Sequence, residues 1–257
     1  MKTIAILQAR MSSSRFPGKV LLELFGRPML ARQIDRVRRA EMIDRLVIAT
    51  SNQAEDSAIE DLCREIGLKC FRGSLDDVLD RFFQCARSQD PDHVVRLTGD
   101  CPLADPAIID RVVRFHLGGD FDYTSNVLEP TWPDGLDVEV MKFRCLADAH
   151  AEAELPSERE HATSFIYKRP ERYRLGSVTQ AEDQSSVRLT VDEPEDFQMV
   201  SEIYETLYPR NPAFGLDDVM DLLTKTPEIL GLNNKFERNE GLRRSEQNDK
   251  EYFVADD

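Results

Sequence analysis

Short apolar runs alternate with amphipathic stretches through the first hundred residues. Thr3–Ala9 (TIAILQA), Arg45–Thr50 (RLVIAT) and His93–Leu97 (HVVRL) read as buried strands, and Lys69–Phe71 as a shorter one. Helices are expected between them, from about Pro28 to Ala40, over Ala54–Ile66 and over Asp76–Arg87. In Ala54–Ile66 the residues Ile59, Leu62, Cys63 and Ile66 fall on one face. Strands and helices alternating at this spacing predict βαβ units, hence an α/β protein built on a mainly parallel sheet. Ligands of such sheets bind at the carboxyl ends of the strands, so the loops after strands one and four become the places to search.

The second half is less regular. Helices are expected over Pro106–Leu117, Arg144–Glu154, Glu158–Lys168, Glu195–Tyr208 and Leu216–Thr224. Strands are expected at Phe121–Thr124, Asp137–Met141, Tyr173–Val178 and Val187–Val191. From Asn233 the chain turns polar and charged and reads as a C-terminal tail, residues 233–257. Residues 1–232 then read as a single domain, in which about 120–180 could form a lobe or dimer arm.

Of the 257 residues, 48 are Asp or Glu and 33 are Lys or Arg, a formal charge of −15. Nucleic-acid binding needs a basic face to neutralise phosphates, so this balance argues against it. It leaves room for a small anionic ligand at a local cluster of cations. The five cysteines have no CxxC spacing, which disfavours a disulfide framework or zinc knuckle and points to a reducing cytoplasm. No apolar stretch reaches the roughly 18 residues a membrane span requires.

The local cluster follows the first strand: Gln8-Ala9-Arg10-Met11-Ser12-Ser13-Ser14-Arg15-Phe16-Pro17-Gly18-Lys19. Arg10, Arg15 and Lys19, interleaved with serines, suit a polyphosphate, since backbone amides and hydroxyls cradle it while the cations neutralise it. A solvated cationic turn is the plainer reading. Neither the GxxxxGK[ST] nor the GxGxxG pattern is present. The arrangement Arg10-x-x-Ser13-x-Arg15-Phe16-Pro17-x-Lys19 resembles the CTP-binding loop of sugar cytidylyltransferases, which activate acylneuraminate and 3-deoxy-octulosonate sugars. Arg96-Leu97-Thr98-Gly99-Asp100-Cys101-Pro102-Leu103 is similar to their metal-binding segment. Trp132–Val140 (WPDGLDVEV), Glu158–Thr163 (EREHAT), Arg188–Phe197 (RLTVDEPEDF) and Arg238–Gly241 (RNEG) resemble the SpsF branch, named for spore coat polysaccharide biosynthesis.

The resemblance implies a nucleotide-diphospho-sugar transferase-like fold (Rossmann-like, GT-A-type) and transfer of CMP from CTP to a sugar-type acceptor with release of pyrophosphate. It implies that Arg15, Lys19 and Asp100 are catalytic, and that Gln8, Ala9, Arg10, Ser13, Arg81 and Thr98 join Arg15 and Lys19 in binding the nucleotide. Magnesium would be held by Asp100 and Asp192. From the residues alone, Asp100 could equally cap the Pro106 helix, and Asp192 could serve the helix after Pro194, where Asp196 reads as structural. Asp137 and Glu139, on one face of the expected strand, would orient acceptor hydroxyls or face solvent. Arg96, Asn126, Arg159 and His161 complete the acceptor set, each with a structural alternative. Arg81 could instead pair with Asp77 on the helix surface. A homodimer follows from family habit. Two other readings stay open: a glycosyltransferase consuming a nucleotide sugar, suggested by Asp120-Phe121-Asp122, and a nucleotide-binding protein without catalysis.

Overall fold

The computed structural model describes residues 1–233 together with 235, 236, 238, 243, 245–247 and 249. The chain runs β1 (Thr3–Gln8), β2 (Glu23–Leu24), β3 (Arg27–Pro28), α1 (Met29–Val37), β4 (Arg45–Ser51), α2 (Ser57–Glu65), β5 (Lys69–Gly73), α3 (Val78–Arg87) and β6 (His93–Thr98). It continues through α4 (Pro106–Gly118), β7 (Tyr123–Ser125), β8 (Glu139–Lys142), α5 (Phe143–Glu152), α6 (Pro156–Glu160), α7 (Ser164–Tyr167) and β9 (Leu175–Ser177). Last come α8 (Pro194–Leu207), α9 (Leu216–Lys225) and α10 (Pro227–Leu230).

Seven strands form one sheet in the order β5-β4-β1-β6-β8-β7-β9. β5, β4, β1 and β6 pair in parallel, β8 runs antiparallel between β6 and β7, and β9 pairs in parallel with β7. The nearly continuous apolar character of β1 and β4 is explained by burial on both faces. Ala5 and Leu7 pack with α1, α4 and α8 on one side, while Ile4 and Ile6 pack with α3, α5 and α7 on the other. The predicted α/β class and mainly parallel sheet are therefore what the chain forms.

Three expectations are corrected, and one hairpin is additional. Val187–Val191 joins no ladder: Arg188 makes an isolated bridge to Asp134, Leu189 donates to Asp134 O and Val191 to Asp100 O, so the segment is stitched to two loops. The helix expected over Glu158–Lys168 is two short helices, α6 and α7, interrupted at residues 161–163. The strand expected from Asp137 begins at Glu139, which separates the two acids. The β2–β3 hairpin carried no alternating pattern; its turn depends on positive φ at Phe25 and Gly26.

In register, Gln8 of β1 lies between Ala49 of β4 and Thr98 of β6, which brings the loops after β1 and β6 side by side. Gly99 makes that approach close: its amide donates to Gln8 O at 2.7 Å, and a Cβ there would lie 2.9 Å from both Gln8 O and Ala9 Cβ.

Candidate active site

The loop after β1 is shaped by its own hydrogen bonds and by one buried acid. Ser13 and Gly18 amides both donate to Met11 O, and Phe16 N donates to Ser13 Oγ at 3.3 Å. Asp56, fully buried, accepts from Met11 N at 2.6 Å and from the amide and hydroxyl of Ser51, which ties the loop to the end of β4. The amides of Arg10, Ser12 and Ser14 have no protein acceptor among the described residues, as an anion cradle requires. Asp56 lies outside every motif. Its importance comes only from where β4 ends.

Two adjoining cavities open at the carboxyl edge of the sheet. The first, about 400 Å³, is lined by the β1 loop, Arg81, Arg96 and Thr98–Asp100. The second, about 470 Å³, is lined by Tyr123, Asp134, Asp137, Glu139, Thr163 and Arg188. Arg15, Arg96, Thr98, Asp100, His161 and Asp192 face both. The residues expected to bind nucleotide, Gln8, Ala9, Arg10, Ser13, Arg15, Lys19, Arg81 and Thr98, thus share the first chamber, although they come from three separate stretches of chain. Arg81 is 2% exposed and makes no surface pair with Asp77; it donates to the carbonyls of Ser74 and Leu75. Burial, and then the neighbouring Arg10, lower its guanidinium to about 10.

At the junction, Lys19 Nζ lies 2.9 Å from Asp192 Oδ1, 3.8 Å from Asp100 Oδ2 and 2.6 Å from Val191 O. Arg15 Nη2 reaches the same Asp192 oxygen at 3.0 Å. The other Asp192 oxygen accepts from Arg188 Nη2 at 2.9 Å. Burial works to raise Asp192, but Lys19, Arg15 and Arg188 outweigh it and hold the carboxylate below its usual range. Arg188 is the hub behind this acid. It also contacts Asp134 at 3.1 Å and Asp196 through two nitrogens at 2.9 and 3.0 Å. Asp196 is fully buried and accepts from the amides of Asp192 and Glu193 as well, which fixes the start of α8.

Two carboxylates converging on one cation fit a magnesium ion, which takes one or two carboxylates and completes its shell with phosphate oxygens and water. Among the described residues no group of three or more His, Cys, Asp or Glu is arranged to hold a metal unaided. Cys101, beside Asp100, is 6% exposed, and burial followed by Asp100 and Asp137 pushes its thiol well above the ordinary value, against a thiolate there.

In the second chamber Glu139 accepts from Arg96, from Tyr123 Oη at 2.5 Å and from Thr163 Oγ1 at 2.6 Å. Burial opposes its charge, yet Arg96 and these donors keep it below its usual range. Arg96 Nε also donates to Gln8 Oε1 at 3.3 Å, linking the two chambers. Asp137 pairs with Arg238 at 2.7 Å and His161 Nε2 lies 3.0 Å from Ser245 Oγ, so described residues of the C-terminal segment reach both. Asn233 is buried on Asp196 and Arg188 O, and Asp249 accepts from Ser157 N. These residues dock against the domain, contrary to the tail expected from Asn233; the remainder lies outside the described residues.

Asn126 and Arg159 are corrected. Asn126 is fully buried, and its amide is spent on Leu136 O and Val138 N, bracing β7 against the segment before β8. Arg159 lines neither chamber; it pairs with Asp77 and donates to His150 O. Asp122 of the Asp120-Phe121-Asp122 triplet pairs with Lys142 and Arg144 at the amino end of β7, the sheet edge opposite the chambers.

The cation-bearing loop, paired acids and mainly parallel sheet together are those of an α/β nucleotidyltransferase. The chain belongs to the cytidylyltransferase family, whose profile matches residues 4–252. It is 35% identical over 238 residues to an uncharacterized protein of Methanocaldococcus jannaschii, covering 91% of this chain and 95% of that one. It is 34% identical over 232 residues to the spore coat polysaccharide biosynthesis protein SpsF of Bacillus subtilis, covering 87% and 94%. Among solved structures, a cytidylyltransferase from Leptospira borgpetersenii superposes with a TM-score of 0.85 at 30% identity, covering 90% of this chain and 97% of that one. A CMP-2-keto-3-deoxy-manno-octonic acid synthetase complexed with CTP shares the fold, with a TM-score of 0.61 at 17% identity, 80% of this chain and 99% of that one being covered.

Proposed function

We propose that the protein transfers CMP from CTP to a hydroxyl of a sugar-type acceptor and releases pyrophosphate, for surface polysaccharide or glycoconjugate synthesis. The observation that carries this reading is the junction: Asp100, Asp192, Lys19 and Arg15 meet where the two chambers join. Nucleotide fills the first chamber and acceptor the second. The α-phosphorus lies between them, so the acceptor oxygen attacks from one side as pyrophosphate departs on the other. Relatives named as SpsF and as 3-deoxy-manno-octulosonate cytidylyltransferase support the substrate class; the latter, from Trichlorobacter lovleyi, is 38% identical over 120 residues, 46% of each chain.

Asp100 and Asp192 are the residues that would hold magnesium, which when bound neutralises phosphate charge. Arg10, Ser13, Arg15 and Lys19 bind the triphosphate and stabilise the charge that develops on pyrophosphate. Gln8, Ala9 and Thr98 lie at the strand ends where the base is received, and Arg81 lends a buried positive charge. Asp137, Glu139, Arg96 and His161 orient the acceptor. Catalysis is positioning plus electrostatics, with no covalent enzyme intermediate. The same reading carries a cytoplasmic homodimer, with residues 120–180 supplying acceptor and subunit contacts.

The test is pyrophosphate release from each of four nucleoside triphosphates, followed by an acceptor panel with the best. Release from CTP that requires an acceptor and is abolished by EDTA is expected. Consumption of a nucleotide sugar without pyrophosphate would replace this reading with glycosyl transfer. Binding of CTP without turnover across the panel would replace it with a non-catalytic role.

A further inference from the structure

Lys19 is a cation that the protein supplies to its own pair of acids. Lys19 is 7% exposed, and three oxygens surround its ammonium: Asp192 Oδ1, Asp100 Oδ2 and Val191 O, at 2.9, 3.8 and 2.6 Å. The carboxylates are held from the far side. Arg188 anchors the second Asp192 oxygen at 2.9 Å, and the backbone next to Asp100 is pinned by Val191 N and Thr190 Oγ1, which donate to Asp100 O at 2.7 and 3.2 Å. Lys19 itself follows a turn of the β1 loop, and nothing about its flexible stem requires the ammonium to stay on these acids once a stronger anion arrives. A triphosphate in the first chamber is such an anion, because Lys19 lines that chamber as well.

We propose that Lys19 is a placeholder for the metal: in the nucleotide-free protein its ammonium occupies the cation position between Asp100 and Asp192, and it yields that position only when a phosphate draws it away. Metal binding is thereby made conditional on nucleotide binding. This rests on the reading of Asp100 and Asp192 as the metal ligands. Physically, a divalent cation approaching the protein without nucleotide meets a positive charge already within 3.8 Å of a carboxylate oxygen of each acid, whereas one arriving with CTP brings the phosphates that take that charge over. Arg188, unlike Lys19, stays behind Asp192 and keeps its carboxylate aimed at the junction.

The experiment uses Mn²⁺ as probe and no nucleotide. Free Mn²⁺ is counted by electron paramagnetic resonance in titrations of the wild type, Lys19→Met, and Lys19→Met combined with Asp100→Asn. Weak binding by the wild type is expected, with at least about tenfold tighter binding by Lys19→Met, as follows from removing one charge a few ångströms from the site. Adding Asp100→Asn should abolish the gain. Should Lys19→Met fail to fold, Lys19→Gln offers a shorter, neutral side chain with an amide donor, and the same tightening is expected. Neutral variants that bind Mn²⁺ no tighter than the wild type would overturn the placeholder while leaving the metal ligands standing. A gain that survives Asp100→Asn would instead place the metal elsewhere and remove the ligand assignment itself.

Discussion

Asp137 is shifted far from the ordinary range of a carboxyl. Burial, reinforced by Asp134, Glu139 and Asp100 against the pull of Arg238, raises it to about 7. The native protein therefore holds a proton there, between about pH 4 and 7, that the unfolded chain has released. Its contribution to stability is greatest at the acid end of that window and falls as the pH rises through 7. In metal-free protein, Asp137→Asn should lose this slope, so that urea unfolding shows the variant gaining on the wild type from pH 4 to 7. A constant gap would mean that Asp137 ionises as an ordinary surface acid. Glu139, two residues on, behaves oppositely because Arg96, Tyr123 and Thr163 all stabilise its charge. The two acids looked alike in the sequence. Their partners arrive from residues far away in the chain, which no spacing rule reveals.

At the scale of elements, the site depends on how closely irregular segments approach one another. Gly135 has φ +99°, and a Cβ on it would lie 2.4 Å from Thr190 N, inside the backbone of the 187–192 segment. Beside it, the Asp134 amide donates to Val187 O and Asp134 O accepts from Leu189 N. Gly135→Ala should therefore cost roughly 1–3 kcal/mol in chemical denaturation, from the strained φ and the forced separation together. Because the same separation moves Asp192, the variant should also lose CMP transfer. Retained stability would show that the segment yields easily. The parallel strands themselves were legible, since continuous apolar runs between amphipathic helices have few other solutions. Residues 187–191 were not: alternation there reflects burial between two loops, which produces the same period as a strand without a ladder.

For the molecule as a whole, the C-terminal segment matters more than its polarity suggests. Arg238 reaches Asp137, Ser245 reaches His161 and Glu160, and Asp249 reaches Ser157, all on the rim of the chambers or just behind it. Every named strand and both apolar cores lie before residue 234. Deleting residues 234–257 should leave a cooperatively melting protein whose KM for the acceptor rises more than its KM for CTP. Unchanged KM values would make the segment dispensable to the site. The charge of −15 takes on a local meaning here. Acids crowd the second chamber and the junction, where Arg96 and Arg188 are matched to carboxylates and Arg15 and Lys19 of the β1 loop meet Asp192.

The sequence by itself determined the class of fold and the cationic loop that carries Arg10, Arg15 and Lys19, whereas Asp100 and Asp192 were singled out by the family resemblance. The first two are local: a run and a cluster. Only the tertiary structure decided that Lys19 bridges the two acids, that Arg188 holds Asp192 from behind and that Asp56 anchors the loop. It also turned Asn126 and Arg159 from candidate ligands into structural residues. The physical reason is the same in each case. A side chain's role follows from what meets its polar atoms, and for these residues that partner is set by strand register and loop approach.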